Sequence, residues 1–129
     1  MEKHTGGETM SEVDAQRANY RYLDKRGRDV VLTNYTEGGE DAYGDATLTA
    51  TTSTIKAIKK QYKGSFERDA SGGIPVGDAV FEMKDTVEIY DGATHQASKL
   101  AIDGDSFTVV MADNQGTGLL AVLTEKKRP

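Results

Sequence analysis

An Asp-Gly dipeptide at residues 103–104 constrains the fold of this chain more than any other short feature. Apolar segments lie on both sides of it, at residues 100–102 and 107–110, and they are rich in residues that favour strands. A two-residue turn between antiparallel strands needs positive φ angles, which Asp and Gly tolerate. The sequence therefore predicts a tight β-hairpin in the last third of the chain.

A regular alternation over residues 46–60 predicts a second strand region. Threonine occupies every second position from Thr47 to Thr51, and Leu48 and Ala50 fall on the opposite face. This segment is longer than an ordinary strand, which has about 5–6 residues. We therefore expect a bend or β-bulge near residues 52–53.

Helix signals are confined to the N-terminal region. Residues 1–10 lack periodicity and contain a Gly-Gly pair, which predicts a flexible arm. Ser11 can cap a helix that runs to Arg26 and ends at Gly27. The apolar residues of this helix form no wide stripe, so it should need packing against the barrel or a neighbouring subunit.

The remaining segments complete an all-β pattern. Strands are expected at residues 29–35, 79–83 and 87–90, with a glycine-rich acidic loop at 36–45 and a final meander that turns at 114–116. We predict a small, partly open antiparallel β-barrel of five to six strands, with a short N-terminal helix and long loops. Residues 11–129 should form this single domain, because domains most often contain about 100–150 residues.

Composition limits the function classes. The chain has 129 residues, of which 36% are hydrophobic, so its core should be small. It contains no cysteine, which excludes disulfides, thiolate metal sites and cysteine nucleophiles. The net charge of −5 argues against a free-standing nucleic-acid binder, and no segment predicts a membrane span.

No residue pattern predicts catalysis, a cofactor or a metal site. His4 and His95 are the only histidines, and no serine lies in a nucleophile pattern. Asp103 and Asp105 form a carboxylate pair, and an acidic cluster lies at 40–45, but neither has the full ligand sequence of a calcium loop. We interpret Asp103 as part of the hairpin turn and the chain as not an enzyme.

Several segments taken in order resemble a known family. They are TIKAIKKQYKG from Thr54, GGIPVGDAVFEM, SKLAIDGDSFTVV and GLLAVLTEKK. Their order is similar to that of head-closure, or stopper, proteins in the neck of tailed, bacteriophage-like viruses, and to the head-to-tail joining and tail-completion families. The resemblance covers roughly residues 20–127. It departs from the family at residues 96–99, where a Pro-x-x-Gly-Asp turn is common and this chain has Gln-Ala-Ser-Lys.

The resemblance implies a structural virion protein that is assembled in the host cytoplasm. Copies would form a homo-oligomeric ring, a dodecamer, between the adaptor or portal-side ring and the tail proteins, with packaged double-stranded DNA in its channel and no membrane partner. Seven residues are expected at interfaces between subunits or with neighbouring proteins: Tyr20, Tyr22, Glu40, Asp41, Tyr43, Lys126 and Arg128.

The resemblance also implies that the loop at residues 61–73 projects into the channel and narrows it, so that DNA is retained. Glycines in the loop permit the movement of a gate, and its basic residues can face phosphates. The expected channel residues are Lys63, Gly64, Phe66, Arg68, Gly72 and Gly73. The plain alternative for this segment is a hairpin tip without a function.

Two other functions remain open from the sequence. The chain could be a different neck or tail protein, such as a tail terminator or an adaptor, and an adaptor should be largely helical. It could also be a small barrel that binds a ligand or nucleic acid, in which case a monomer should bind short DNA in a salt-dependent manner.

Overall fold

The computed structural model describes residues 7–40, 42–44, 46–62, 76–92 and 96–128. These residues form a helix, α1 (Gly7–Arg26), followed by strands β1 (Arg28–Glu40), β2 (Ala46–Gln61), β3 (Ala79–Lys84), β4 (Lys99–Ile102), β5 (Asp105–Gly116) and β6 (Leu119–Lys126). All strand pairs are antiparallel, and they close into a barrel in the order β1-β2-β3-β6-β5-β4. The predicted all-β class, the barrel and the N-terminal helix are confirmed.

The barrel is closed, whereas the sequence predicted a partly open one. Closure depends on the short strand β4, which pairs with β1 at Val31↔Ala101, Leu32↔Leu100 and Thr33↔Lys99 and with β5 on its other side. Pairing both edges of β4 removes open strand edges from this part of the sheet, because no backbone groups remain free to recruit another strand.

Side chains fill the barrel interior. Phe81 of β3 and Phe107 of β5 are almost fully buried, and their rings meet edge to face with centroids 5.2 Å apart. Met83, Leu100 and Val122 are also fully buried in the same cluster. A small barrel of this kind has a packed core rather than a channel.

Of the two tight turns in the C-terminal third, the sequence predicted the position of the first correctly and that of the second incorrectly. Asp103 and Gly104 have φ angles of 55° and 81°, so the predicted tight turn is confirmed. The turn predicted at 114–116 is wrong by about two residues, because β5 continues to Gly116 and the turn is formed at Thr117 and Gly118. Helix α1 holds it there, since Asn19 Nδ2 donates to the Thr117 carbonyl oxygen over 2.9 Å.

Helix α1 begins at Gly7, so the predicted start at Ser11 is wrong, and residues 7–10 belong to the helix and not to an arm. Residues 1–6 of the predicted arm lie outside the described part of the chain. The predicted end at Gly27 is confirmed, because the Gly27 N–H donates to the Leu23 carbonyl oxygen over 2.8 Å. Leu23 is fully buried and attaches the helix to the barrel.

Strand β2 has no bulge at residues 52–53, so that prediction is wrong. Its register with β1 is continuous from Arg28↔Ala57 to Glu37↔Leu48, and the shift lies between Glu37 and Glu40 instead. The strand is long because it changes partner: residues up to 57 pair with β1, and residues 58–61 pair with β3.

Two further segments differ from expectation. Residues 36–40 of the acidic loop predicted at 36–45 are strand, because β1 extends to Glu40 and pairs with β2. The strand predicted at 87–90 is absent, and this described segment is irregular. Val87 and Ile89 still pack against the core, so their apolar character reflects burial rather than a strand.

Candidate assembly surface

A two-stranded ribbon projects beyond the barrel wall. We define the ribbon as residues 34–40 of β1 and 46–51 of β2, which pair with each other. Strand β1 pairs with β4 only at residues 31–33, and β2 pairs with β3 only at 58–61. Within the described chain, both outer edges of the ribbon therefore lack a neighbouring strand. Such edges favour association with another protein unless they are protected.

The two faces of the ribbon have an unusual distribution of polarity. Cross-strand partners share a face, and Val30 pairs with Ile55 on the face that points into the core. Beyond the barrel this face becomes polar, with the pairs Asn34↔Thr51 and Thr36↔Thr49.

The opposite, outward face carries apolar side chains. It includes the pairs Tyr35↔Ala50 and Glu37↔Leu48, and it continues onto the barrel wall at Val31. Leu48 is 52% exposed and Val31 is 42% exposed. A sheet that faces water on one side normally has polar residues outward. The reversed pattern favours a partner that covers this face.

Two of the residues predicted at interfaces are well exposed. Tyr22 of α1 is 44% exposed, and Tyr43, in the turn between β1 and β2, is 91% exposed. The side chain of Glu40 and all of Asp41 lie outside the described residues.

Tyr20, also predicted at an interface, lies instead between α1 and the barrel. Its hydroxyl donates to Asp85 Oδ1 over 2.6 Å and accepts from Gln16 Nε2 over 3.2 Å. The hydrogen bond to Asp85 raises the pKa of Tyr20, and desolvation adds to the effect. This tyrosine holds the helix on the barrel through contacts within the chain.

Lys126 and Arg128 also have partners within the chain. Arg128 Nη2 donates to Asp78 Oδ1 over 2.6 Å, and the Lys126 backbone N–H donates to Asp78 Oδ2 over 2.8 Å. The Lys126 side chain lies 3.6 Å from Asp105. The backbone hydrogen bond from Lys126 lowers the pKa of Asp78, and Arg128 contributes further. These contacts attach the C-terminal residues to the start of β3.

The six predicted channel residues lie outside the described chain: Lys63, Gly64, Phe66, Arg68, Gly72 and Gly73. The structure does define where their loop leaves and rejoins the barrel. Gln61 pairs with Ala79, so the loop connects neighbouring positions on adjacent strands. The Asp78 N–H donates to the Thr124 carbonyl oxygen over 2.7 Å and fixes the point of return.

Histidines and carboxylates are the side chains of this chain that could bind a metal ion. The described residues contain no group of three or more His, Cys, Asp or Glu side chains placed to hold a metal, and both histidines lie outside the described ranges. The carboxylate pair of the hairpin is neutralised separately, because Arg28 contacts Asp103 and Lys126 contacts Asp105. A shallow pocket of about 240 Å³ lies between α1 and the turn at Thr117 and Gly118, and Asp85 is the acidic residue among its described lining residues.

Sequence reasoning missed two parts of this surface. Val31 and Leu48 were assigned to strands without a surface role, although the alternation at 47–51 correctly placed Leu48 opposite the threonines. Arg17 and Arg21, on the exposed side of α1, were also not assigned to a site. A helical projection with Leu23 facing the barrel would have placed these arginines outward.

The chain matches no protein-family model, and no curated protein matches its sequence. Among the described residues, no helix is both long enough and apolar enough to cross a membrane.

Proposed function

We propose that this chain is a structural protein that forms the head-closure ring in the neck of a tailed virus. The observation that carries the proposal is the ribbon, because its outward apolar face and unpaired edges extend from a barrel that is otherwise complete. A domain that has a filled core and a projecting ribbon with an exposed apolar face is suited to building assemblies. The resemblance of the sequence to head-closure proteins supplies the particular assembly.

The packed interior argues against the ligand-binding alternative. Phe81, Phe107 and Met83 occupy the centre of the barrel, where a ligand-binding barrel would have a cavity. The described pocket lies at the seam of α1 instead, and it is open and small. No observation on the described residues favours this function over an assembly role.

The secondary structure also argues against an adaptor, which should be largely helical. The described chain has a single helix, α1, beside the six strands of the barrel. A tail terminator remains a possible variant of the proposal, since a ring-forming barrel would suit either position.

In the proposed ring, the loop at residues 61–73 lines the channel. Its two ends lie side by side at Gln61 and Ala79, so its length and sequence can vary without disturbing the barrel. Lys63 and Arg68 would face the phosphates of DNA, and Phe66 would contact its copies in other subunits.

Two loop variants test the proposal in virus particles. One replaces residues 63–73 of this loop with a short Gly-Ser turn, and the other replaces them with a Gly-Ser segment of equal length. Both should fold, because halving a loop changes its closure free energy by only about 0.6 kcal/mol. We expect the neck to assemble in both, and packaged DNA to leak.

The equal-length variant separates loop length from side-chain chemistry. If it retains DNA while the short variant does not, the channel is narrowed by the backbone alone. Retention equal to that of the unaltered protein in both, with the neck present, would remove the gate and leave only a structural ring. Absence of the protein from purified particles would overturn the proposal as a whole.

A further inference from the structure

Exposed large apolar side chains are concentrated on two parts of the molecule. Of the six among the described residues, Val31, Tyr43 and Leu48 belong to the β1–β2 hairpin, and Val13 and Tyr22 belong to α1. The sixth, Val76, lies just before β3. The hairpin and the helix are therefore the two surfaces that gain most from being covered.

The exposed side of α1 also carries a row of basic residues. Arg17, Arg21 and Lys25 follow each other at intervals of four residues, so they lie on one side of the helix, and all three are exposed. Val13 continues the same row at its N-terminal end. None of the three basic side chains forms an ion pair with another described residue.

The ribbon has the opposite charge. It contains two acidic residues, Glu37 and Glu40, and no lysine or arginine. Glu37 is exposed and pairs across the ribbon with Leu48, so an acidic and an apolar side chain lie together on the outward face. The row on α1 offers the complementary charges, with Val13 at its N-terminal end.

We propose that the outward face of the ribbon of one copy docks onto the exposed side of α1 of a second copy. Leu48 would cover the stems of the arginines, and Glu37 would pair with their charged ends. Among the described residues, α1 packs on β2, β3 and β6, makes no contact with β1, and shares no ion pair with the ribbon.

A contact between two different surfaces repeats from copy to copy and closes into a ring when its rotation permits. The repetition of this contact around a neck ring rests on the proposed function. The contact itself is testable on the purified chain without any particle, so its failure is separate from a failure of the neck assignment.

The test uses two variants, each of which removes one surface. The ribbon variant combines Glu37→Lys with Leu48→Ser, and the helix variant combines Arg17→Ala with Arg21→Ala, so that the two altered surfaces cannot form a new ion pair with each other. Self-association is measured by sedimentation velocity over a range of concentrations and salt. Each variant alone should associate at least about tenfold more weakly than the unaltered chain, because each has lost one of the two surfaces that form the contact.

An equimolar mixture of the two variants gives the decisive result. The intact ribbon of one variant and the intact helix of the other form one productive contact, so a heterodimer should appear and nothing larger. Val76→Ser is the matched control, because it removes an exposed apolar side chain elsewhere and should leave association unchanged. Thermal unfolding of each variant verifies that the fold is retained.

Three results would overturn the inference. The helix variant could associate as strongly as the unaltered chain, which would indicate that ribbons pair with each other. The mixture could remain monomeric although the unaltered chain associates. The unaltered chain could also stay monomeric at the highest attainable concentration in low salt, and the neck ring would then have to form through other surfaces.

Discussion

Arg28 and Asp103 form a two-pronged ion pair that joins residues far apart in the sequence. Arg28 Nη1 donates to Asp103 Oδ2 over 2.8 Å, and Arg28 Nη2 donates to Asp103 Oδ1 over 2.6 Å. Arg28 is the first residue of β1, and Asp103 occupies the left-handed position at the tip of the β4–β5 hairpin. The ion pair therefore connects the start of β1, directly after α1, to the hairpin that contains β4, the strand that closes the barrel. Both side chains are at least half exposed, so water screens the interaction.

The first prediction concerns acid stability. Hydrogen bonds from Arg28 lower the pKa of Asp103, and the Lys126 backbone N–H lowers that of Asp78. A carboxylate whose pKa is lower in the folded state stabilises the fold above its unfolded value, 3.8, and the contribution is lost as the pH falls below it. Urea unfolding at neutral and acidic pH should show this loss, and Asp103→Asn should reduce its size.

Asp113→Asn is the control for the acid prediction, because no basic side chain pairs with Asp113 among the described residues. It should leave the pH dependence unchanged. A loss of stability in acid that is the same with and without Asp103→Asn would show that this ion pair contributes nothing measurable.

The second prediction compares two glycines in the β5–β6 turn. Gly116 and Gly118 both have positive φ, 77° and 87°. A Cβ at Gly118 would lie 2.8 Å from Gln16 and Tyr20 of α1, whereas a Cβ at Gly116 would meet nothing within 4 Å. Gly116→Ala should cost about 1–2 kcal/mol for its backbone conformation, and Gly118→Ala should cost more because α1 must also move.

Chemical denaturation of the two alanine variants measures the difference. Equal losses of free energy of unfolding would mean that α1 does not press against this turn in solution.

The third prediction concerns the buried hydroxyl of Ser98. Ser98 is fully buried, its Oγ accepts from the Tyr90 N–H over 2.9 Å, and it donates to Asn34 Oδ1. The Asn34 amide in turn donates to the Glu88 carbonyl oxygen over 2.8 Å. Ser98→Ala should destabilise the fold by about 1–3 kcal/mol, because it removes an acceptor from a buried donor.

The exposed Ser53 of β2 offers a matched control, and Ser53→Ala should change the free energy of unfolding by no more than about 0.5 kcal/mol. Hydrogen exchange should also become faster at Tyr90 in Ser98→Ala. Unchanged exchange and stability would show that this hydroxyl does not hold the 85–98 segment against the barrel.

The fourth prediction compares the loss of stability on truncation of a core residue, Phe81, with that of a surface residue, Leu48. Phe81→Ala removes a fully buried ring and should cost about 3–5 kcal/mol of stability. Leu48→Ala truncates a side chain that is 52% exposed and should cost far less in an isolated monomer. Comparable losses at low protein concentration would mean that the ribbon packs against its own barrel and is not free to meet a partner.

Features that depend on a few neighbouring residues could be predicted from the sequence. The Asp103-Gly104 turn, the end of the helix at Gly27 and the strand at 79–83 follow from backbone preferences that act locally. The alternation at 47–51 likewise placed Leu48 and the threonines on opposite faces. It could not show which face points outward, because that depends on how β1 and β2 enter the barrel.

Other features were decided only by contacts between distant segments. The barrel closes because β4 reaches the edge of β1, and β2 stays unbroken because its end pairs with β3. Lys126 and Arg128 are predicted at interfaces from the sequence, and folding places Asp105 beside the Lys126 side chain and Asp78 beside that of Arg128. A charged side chain pairs with an opposite charge that the tertiary structure places beside it. A strand continues as long as another strand satisfies its backbone hydrogen bonds. Local sequence sets the faces and turns of this protein, and the closure of the barrel determines which face remains for a partner.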